Sequence, residues 1–124
     1  MTKKTFIALT LLGLSASVSA ANFVHPMEFD GSEAQKQQVI AYIKERVKHD
    51  YCESGLDMCQ NTTLRMMEEQ SLTAFKSATK ATDRAVMDRV IKDYCQSGLD
   101  MCNYPTIFMM YQQNEKAGAK SLEW

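Results

Sequence analysis

A ten-residue segment that occurs twice constrains this chain more than any other feature. Residues 50–59 read Asp-Tyr-Cys-Glu-Ser-Gly-Leu-Asp-Met-Cys, and residues 93–102 repeat them with Gln96 in place of Glu53. The two copies lie 43 residues apart and hold all 4 cysteines of the chain. The same spacing relates further residues on both sides: Arg46 and Arg89, Val47 and Val90, Thr63 and Thr106, Met66-Met67 and Met109-Met110, Gln70 and Gln113. The repeat predicts a helix, a cysteine-bounded corner and a second helix, used twice and packed as a four-helix bundle, because one hairpin cannot bury its apolar stripe alone.

Each copy is predicted to close a local disulfide, Cys52–Cys59 in the first and Cys95–Cys102 in the second. If the segment between them stayed helical, the two Cα atoms would lie about 10 Å apart at a rise of 1.5 Å per residue. A disulfide needs a Cα separation of roughly 4.4 to 6.8 Å. The helix must therefore break, and Gly55 can take the left-handed conformation that ends it. Pairings that join the two copies stay open from the sequence alone: Cys52–Cys95 with Cys59–Cys102, or Cys52–Cys102 with Cys59–Cys95.

Residues 1–20 have the pattern of a cleaved secretory signal peptide. Two lysines begin it, a short apolar run follows over residues 6–14, and small residues at 18–20 suit a cut before Ala21. About ten apolar residues are too few to anchor it, since a membrane span needs roughly 20. Export also suits an even number of cysteines in a small domain, because thiols pair in oxidising compartments. We expect a periplasmic or secreted protein, with the Gram-negative periplasm favoured.

The remaining chain, residues 21–124, is long enough for one domain. Without the two lysines of the leader it has 12 basic and 15 acidic residues, a net charge near −3. A nucleic-acid surface would need a concentrated basic face, so we expect no nucleic-acid partner. No later stretch is apolar enough to suggest stable membrane insertion.

Residues 21–32 are expected to form an irregular arm, interrupted by Pro26 and Gly31, ahead of one helical domain at 33–124. Its two hairpins span about 33–78 and 79–120. The expected helix starts are capped by Ser32, by Asn61 and by Thr79 or Thr82, with Pro105 near the start of the fourth helix. Apolar residues at helical spacing give the candidate core: Val39, Ile40, Ile43, Val47, Tyr51, Leu64, Met67, Leu72, Phe75, Ala85, Val86, Val90, Ile91, Tyr94, Ile107, Phe108, Met110 and Tyr111. No stretch shows the two-residue alternation of a strand, so the expected fold class is all-α.

The sequence favours a protein without catalytic activity. Its two histidines are far apart along the chain, His25 in the arm and His49 near the end of the first helix. A bridged cysteine cannot act as a nucleophile, and the chain has no Cys-x-x-Cys redox spacing. It also lacks a nucleophile elbow, a phosphate-binding loop and a zinc-protease helix. We expect a non-enzyme that needs no cofactor.

Methionine is frequent and follows the repeat. Six of the eight methionines beyond residue 1 occupy repeat-equivalent positions: Met58 and Met101, Met66 and Met109, Met67 and Met110. Flexible thioethers fill irregular cores and also line adaptable binding surfaces. They are soft ligands for Cu(I) as well, so Met66, Met67, Met109 and Met110 are the candidate ligands of a less favoured metal site.

Candidate partner-binding residues fall in two places. Phe23 and Val24 lie in the arm, which we expect to dock on its own bundle, with clasping a partner as the alternative. The exposed part of the two corners supplies Glu53, Asp57, Gln96 and Asp100.

The resulting hypothesis is a small exported protein that works by binding another envelope or secreted protein. It would be an inhibitor or immunity factor with one target, or a stress-related chaperone. A periplasmic soft-metal carrier using the repeated methionines is the alternative, and a structural accessory of an envelope assembly is a weaker one. The oligomeric state is not readable from the sequence.

Overall fold

A computed structural model of the chain describes residues 22–55 and 57–124, and these residues form four α-helices and no strand. The helices are α1 (Glu33–Lys48), α2 (Asn61–Ala78), α3 (Arg84–Cys95) and α4 (Tyr104–Gly118). A short 3-10 turn at Pro26–Glu28 precedes α1, and a π-helical turn at His49–Glu53 extends it. The predicted all-α class is therefore confirmed. The predicted signal peptide, residues 1–20, lies outside the described residues.

Three of the four helices begin at a side chain that accepts a hydrogen bond from the first turn, as exposed backbone N–H groups require. At α1 the predicted cap is confirmed: the Ser32 hydroxyl accepts from the N–H of Gln35 at 3.2 Å. The Gln35 side chain in turn accepts from the N–H of Asp30 at 2.8 Å, which fixes the chain entering the helix. Asp83 caps α3 and Asn103 caps α4 in the same manner.

The predicted caps of α2 and α3 are wrong. Asn61 is the first residue inside α2, and Gln60 before it makes no capping hydrogen bond through its side chain. At α3 the cap is Asp83, neither Thr79 nor Thr82. The physical reason lies in α4, because the Tyr111 hydroxyl accepts the N–H groups of Thr82 (3.2 Å) and Asp83 (3.1 Å) and thereby fixes the turn.

The helices pack as two hairpins, α1 on α2 and α3 on α4, and the hairpins meet along α2 and α4. Two groups of buried side chains form the core. The first combines the arm, the first hairpin and one residue of α4: Val24, Val39, Ile43, Val47, Phe75 and Tyr104. The second belongs mainly to the other hairpin: Ala78, Met87, Val90, Ile91, Ile107 and Tyr111.

The core differs from the candidate list at several positions. Ala78, Met87 and Tyr104 are buried although the list omits them, and Ala85 is exposed. Met87 precedes Val90 and Ile91 by three and four residues, so it lies on the apolar stripe of α3. Tyr104 lies at the start of α4 on the same stripe as Ile107 and Tyr111, and it contacts the arm and the first hairpin. Leu64, Met67 and Leu72 are only half-buried at the edge of the first group.

Candidate functional site

Both corners are closed by disulfides within each copy of the repeated segment, and the predicted local pairing is confirmed. Cys52 bonds to Cys59 and Cys95 to Cys102, each with a Cα separation of 4.6 Å. Gly55 has a φ of 81°, which is the left-handed conformation that the helix break requires. The corners thus reverse the chain within a few residues and place α2 and α4 after them.

The second corner is fastened to α1. The Tyr42 hydroxyl donates a hydrogen bond to the carbonyl oxygen of Cys102 at 2.5 Å. The Arg46 guanidinium contacts the Asp100 carboxylate at 2.7 Å and the Asp100 carbonyl oxygen at 2.6 Å. A third contact joins Arg46 to the Asp50 carboxylate at 3.1 Å. These residues tie the end of the first helix to the loop that begins α4.

The charges of this cluster support one another. The hydrogen bond from Arg46 lowers the pKa of the Asp100 carboxyl below its usual 3.8. Burial opposes the charge of Arg46, but the hydrogen bond to Asp100 and the charge of Asp50 outweigh it and raise the pKa of the guanidinium. Burial also raises the pKa of Tyr42 to about 12, so its hydroxyl stays a donor at physiological pH.

The first corner has no comparable fastening among the described residues. Ala85 occupies the repeat position of Tyr42 and has no hydroxyl to donate. Arg89, the counterpart of Arg46, is exposed and forms no ion pair with Asp57 in the described part of the chain. The two copies of one segment therefore differ in what holds them.

The arm docks on the bundle, the alternative that the sequence favoured. Val24 is buried, and both its backbone groups bond to the Tyr104 hydroxyl, at 3.2 Å from the N–H and 2.9 Å from the carbonyl oxygen. The Phe23 ring contacts the rings of Tyr42 and Tyr104. Val24 thus has no surface to offer a partner in this conformation.

Polar contacts fasten the next residues of the arm to α3. His25 accepts the N–H of Met27 through Nδ1 at 3.0 Å, and its Nε2 lies 2.7 Å from the Asp88 carboxylate. Arg84 contacts Glu28 at 2.6 Å and Asp88 at 2.9 Å. The hydrogen bond with His25 lowers the pKa of Asp88 below its usual value. This histidine therefore has a structural role in holding the arm.

A groove of about 510 Å³ lies between α2 and α4, where the two hairpins meet. Repeat-equivalent methionines stand on it, Met66 at 52% and Met109 at 49% exposure. Phe108 and Pro105 add apolar surface, and Glu69 is the charged residue among the described lining. The other described lining residues are small or carry amide and hydroxyl groups: Gln70, Thr73, Ala74, Ser77 and Gln112.

The four methionines proposed as alternative metal ligands do not all share one site. Met66 and Met109 line the groove, whereas Met67 packs against the first core group and Met110 against the second. In the described part of the chain, histidine, cysteine and acidic residues form no cluster of three that could hold a metal ion.

The candidate corner residues are placed separately from the groove. Glu53, Asp57, Gln96 and Asp100 are all exposed, and Asp100 is in addition bound by Arg46. Sequence reasoning missed the groove and its polar lining. The repeat contains a signal for it, because Glu69 and Gln112 are 43 residues apart, as are Met66 and Met109.

The chain matches no protein-family model, no curated protein and no solved structure. Across residues 22–55 and 57–124, no helix has both the length and the apolar character needed to span a membrane. The class that the fold and the site define is therefore an all-α, disulfide-bonded protein with an open groove between its two hairpins.

Proposed function

We propose that this protein binds an apolar segment of another exported polypeptide in the groove between α2 and α4. The observation that carries the proposal is the presence of two exposed, repeat-equivalent methionines, Met66 and Met109, on that one groove. Methionine adapts its unbranched side chain to irregular surfaces, and exposed apolar grooves commonly mark interaction sites. The amide side chains of Gln70 and Gln112 offer hydrogen bonds to a bound backbone.

Export and duplication belong to the same proposal. The two disulfides are compatible with an oxidising compartment, and we infer that residues 1–20 direct the chain to the periplasm or the exterior. The tandem-repeat interpretation is supported by the sequence match at a spacing of 43 residues and by the equal Cα separation across both bridges. Two hairpins related in this way would present one methionine each to a shared groove.

The proposed role is binding without catalysis or a cofactor, as an inhibitor or immunity factor with one target or as a chaperone for unfolded proteins. Both roles would use the same groove between α2 and α4, and they differ only in the partner that binds there. A chaperone binds many unfolded chains through the groove, whereas an inhibitor binds one folded target. Binding is therefore measured with a permanently unfolded protein, reduced and carboxymethylated lactalbumin, and with any exported proteins that neighbouring genes encode.

The decisive variant is Met109→Glu. It places a carboxylate in the groove at a half-exposed position, and glutamate has a helix propensity close to that of methionine. The variant loses the apolar area that one methionine side chain would bury against the partner, and this loss should weaken binding by about tenfold or more. The measurement is fluorescence anisotropy with labelled partner.

Met101→Glu is the matched control, because Met101 is exposed to 44% but lies in the second corner, outside the described lining of the groove. It should bind like the parent protein. The proposal is wrong if neither partner binds, or if both variants weaken binding equally.

A second candidate function, soft-metal binding, rests on Met66 and Met109 lining one groove. The disulfide-bonded protein is titrated with Cu(I) against a competing chelator. We expect no tight binding, because two thioethers leave most coordination positions unfilled. Tight binding that Met109→Leu abolishes would replace the interaction proposal with the carrier.

A further inference from the structure

We propose that a second groove, between α1 and α2, binds a free fatty acid of medium chain length. This groove adjoins the groove with the methionines at Glu69, which lines both, but its ligand is a small amphiphile and not a polypeptide. The inference comes from an apolar floor that ends between two lysines.

The apolar floor runs through two adjoining cavities of about 380 and 200 Å³. Ile40 of α1 and Leu72 of α2 line both cavities, so the two form one continuous groove. Val39 and Phe75 add apolar lining to the larger cavity, and Ile43 adds it to the smaller. Together the cavities reach the size of sites that enclose small molecules, roughly 300 to 1,000 Å³.

The arm contributes one wall of the larger cavity. Phe29, which follows the 3-10 turn, lines it and meets the Phe75 ring edge-on with a centroid separation of 5.1 Å. Because the arm is fastened at Tyr104 and at Asp88, this wall is fixed before a ligand arrives. A preformed apolar cavity lowers the ordering cost of binding.

The charge of the groove selects the head group. Lys36 and Lys76 line the larger cavity from opposite helices, and its described lining contains no carboxylate. Lys36 has a contact of 3.3 Å with Glu33, but both side chains are solvent-exposed, so this pair is weak and leaves the ammonium available. Lysine stems can cover apolar surface while their ammonium groups stay at the rim, where a carboxylate would bind.

The other end of the groove offers no comparable attraction to an anion. Lys44 lines the smaller cavity together with Glu68 and Glu69, and Glu68 is paired with Arg65 at 2.7 Å, so the positive charge there is balanced by Glu69. A bound fatty acid therefore places its carboxylate between Lys36 and Lys76 and runs its acyl chain over Ile40 toward Ile43. A ligand with one anionic group and one apolar chain therefore matches a groove that has two lysines at one end and an apolar floor along its length.

The test is isothermal titration of the disulfide-bonded protein with octanoate, decanoate and dodecanoate at mildly alkaline pH, below the concentration at which they form micelles. Each methylene that enters the groove should tighten binding about fourfold. Dodecanoate is therefore expected to bind far more tightly than octanoate.

The lysines are tested with the double variant Lys36→Gln and Lys76→Gln. It should weaken dodecanoate binding about tenfold, since two rim charges are lost, and leave dodecanol binding unchanged. Lys48→Gln is the matched control, because Lys48 is an exposed lysine of the same helix outside the described lining and should have no effect. Ile40→Glu should abolish binding of both ligands, with the fold checked by circular dichroism.

The proposal is overturned if dodecanoate does not bind, if affinity does not rise with chain length, or if Lys48→Gln weakens binding as much as the double variant. Met109→Glu separates this site from the groove between α2 and α4. It should leave fatty-acid binding unchanged, and a loss of binding in that variant would assign the ligand to the methionine groove and refute this site.

Discussion

At the scale of single residues, Tyr104 joins parts of the chain that lie far apart in sequence. Its side chain is 1% exposed, and its hydroxyl bonds to both backbone groups of Val24, 80 residues earlier. The ring packs against Phe23 at 5.3 Å and Phe75 at 4.8 Å between centroids. One side chain thus holds the arm against the first hairpin.

We expect Tyr104→Phe to lower the free energy of unfolding by about 1–3 kcal/mol, because it leaves the N–H and carbonyl of Val24 buried without a partner. Urea denaturation measures the loss, and hydrogen exchange of the Val24 amide should accelerate. Tyr94→Phe is the control, since Tyr94 is half-buried and its hydroxyl makes no hydrogen bond within the described chain. That change should stay within about 0.5 kcal/mol; equal losses in both variants would contradict the role of Tyr104.

Asp100 gives a prediction about pH. Because Arg46 lowers the pKa of Asp100 below 3.8 in the folded protein, this carboxyl contributes stability above its unfolded pKa and loses it as the pH falls through the folded value. A carboxyl-carbon NMR titration should therefore give a pKa below 3.8 for Asp100 in the folded protein. Asp100→Asn should flatten the acid limb of the Tm profile, because it removes the carboxylate that Arg46 binds. A pKa of Asp100 at or above 3.8 in the folded protein would contradict the stabilising contact between Arg46 and Asp100.

At the scale of elements, the two corners have nearly the same ten residues but different surroundings. The second is held by Tyr42 and Arg46 of α1 and leads into a helix capped by Asn103. The first leads into α2 without a side-chain cap, and its Cys59 is exposed. The surroundings, and not the repeated segment, therefore decide how firmly each corner is held.

We expect a mild reductant to open Cys52–Cys59 before Cys95–Cys102, because thiolate attack needs access to the sulfur and Cys59 is the more exposed. Alkylation followed by peptide mapping gives the order. Each bridge closes a loop of about eight residues, so its loss should cost about 2.5 kcal/mol. Tyr42→Phe should make the reduction rates of the two disulfides more alike, because it removes the hydrogen bond that holds the second corner on α1. Equal rates in the parent protein would show that the fastening is irrelevant to reduction.

At the scale of the whole molecule, stability depends on the contact between the hairpins. Ile107 of α4 is 0% exposed and belongs to the same core group as Ala78 of α2. Tyr104 of the same helix belongs to the first core group. Each core group therefore includes a residue of the other hairpin, and we expect the two hairpins to unfold together.

Ile107→Ala should lower the free energy of unfolding by about 2–5 kcal/mol, through lost burial and the cavity left behind. The transition should stay single, with coincident curves from far-ultraviolet and near-ultraviolet circular dichroism. Leu122→Ala, in the exposed C-terminal tail, should change stability by no more than about 0.5 kcal/mol. Two separate transitions in the variant would show that the hairpins are independent.

Local features of the chain could be predicted because their causes are local. The all-α class follows from helical spacing of apolar residues, and the Ser32 cap from its position before that spacing begins. Neighbouring polar residues compete at a helix start, so the sequence alone does not distinguish Thr79 and Thr82 from Asp83, which caps α3. The burial of Met87 follows the same spacing, since it precedes Val90 and Ile91 by three and four residues. The groove between α2 and α4 was not predictable in this way, because it depends on how the two hairpins meet.

The sequence by itself determined the helices, because a helix places residues by its period along one chain. It favoured cysteine pairing within each corner, since a glycine break can bring Cys52 to Cys59, but the structure was needed to decide against the pairings that join the two copies. Only the tertiary structure decided which faces meet. Whether Met66 and Met109 share a groove, whether the arm ends under Tyr104, and which corner Arg46 holds all depend on contacts between residues far apart in the chain, and no local period encodes those.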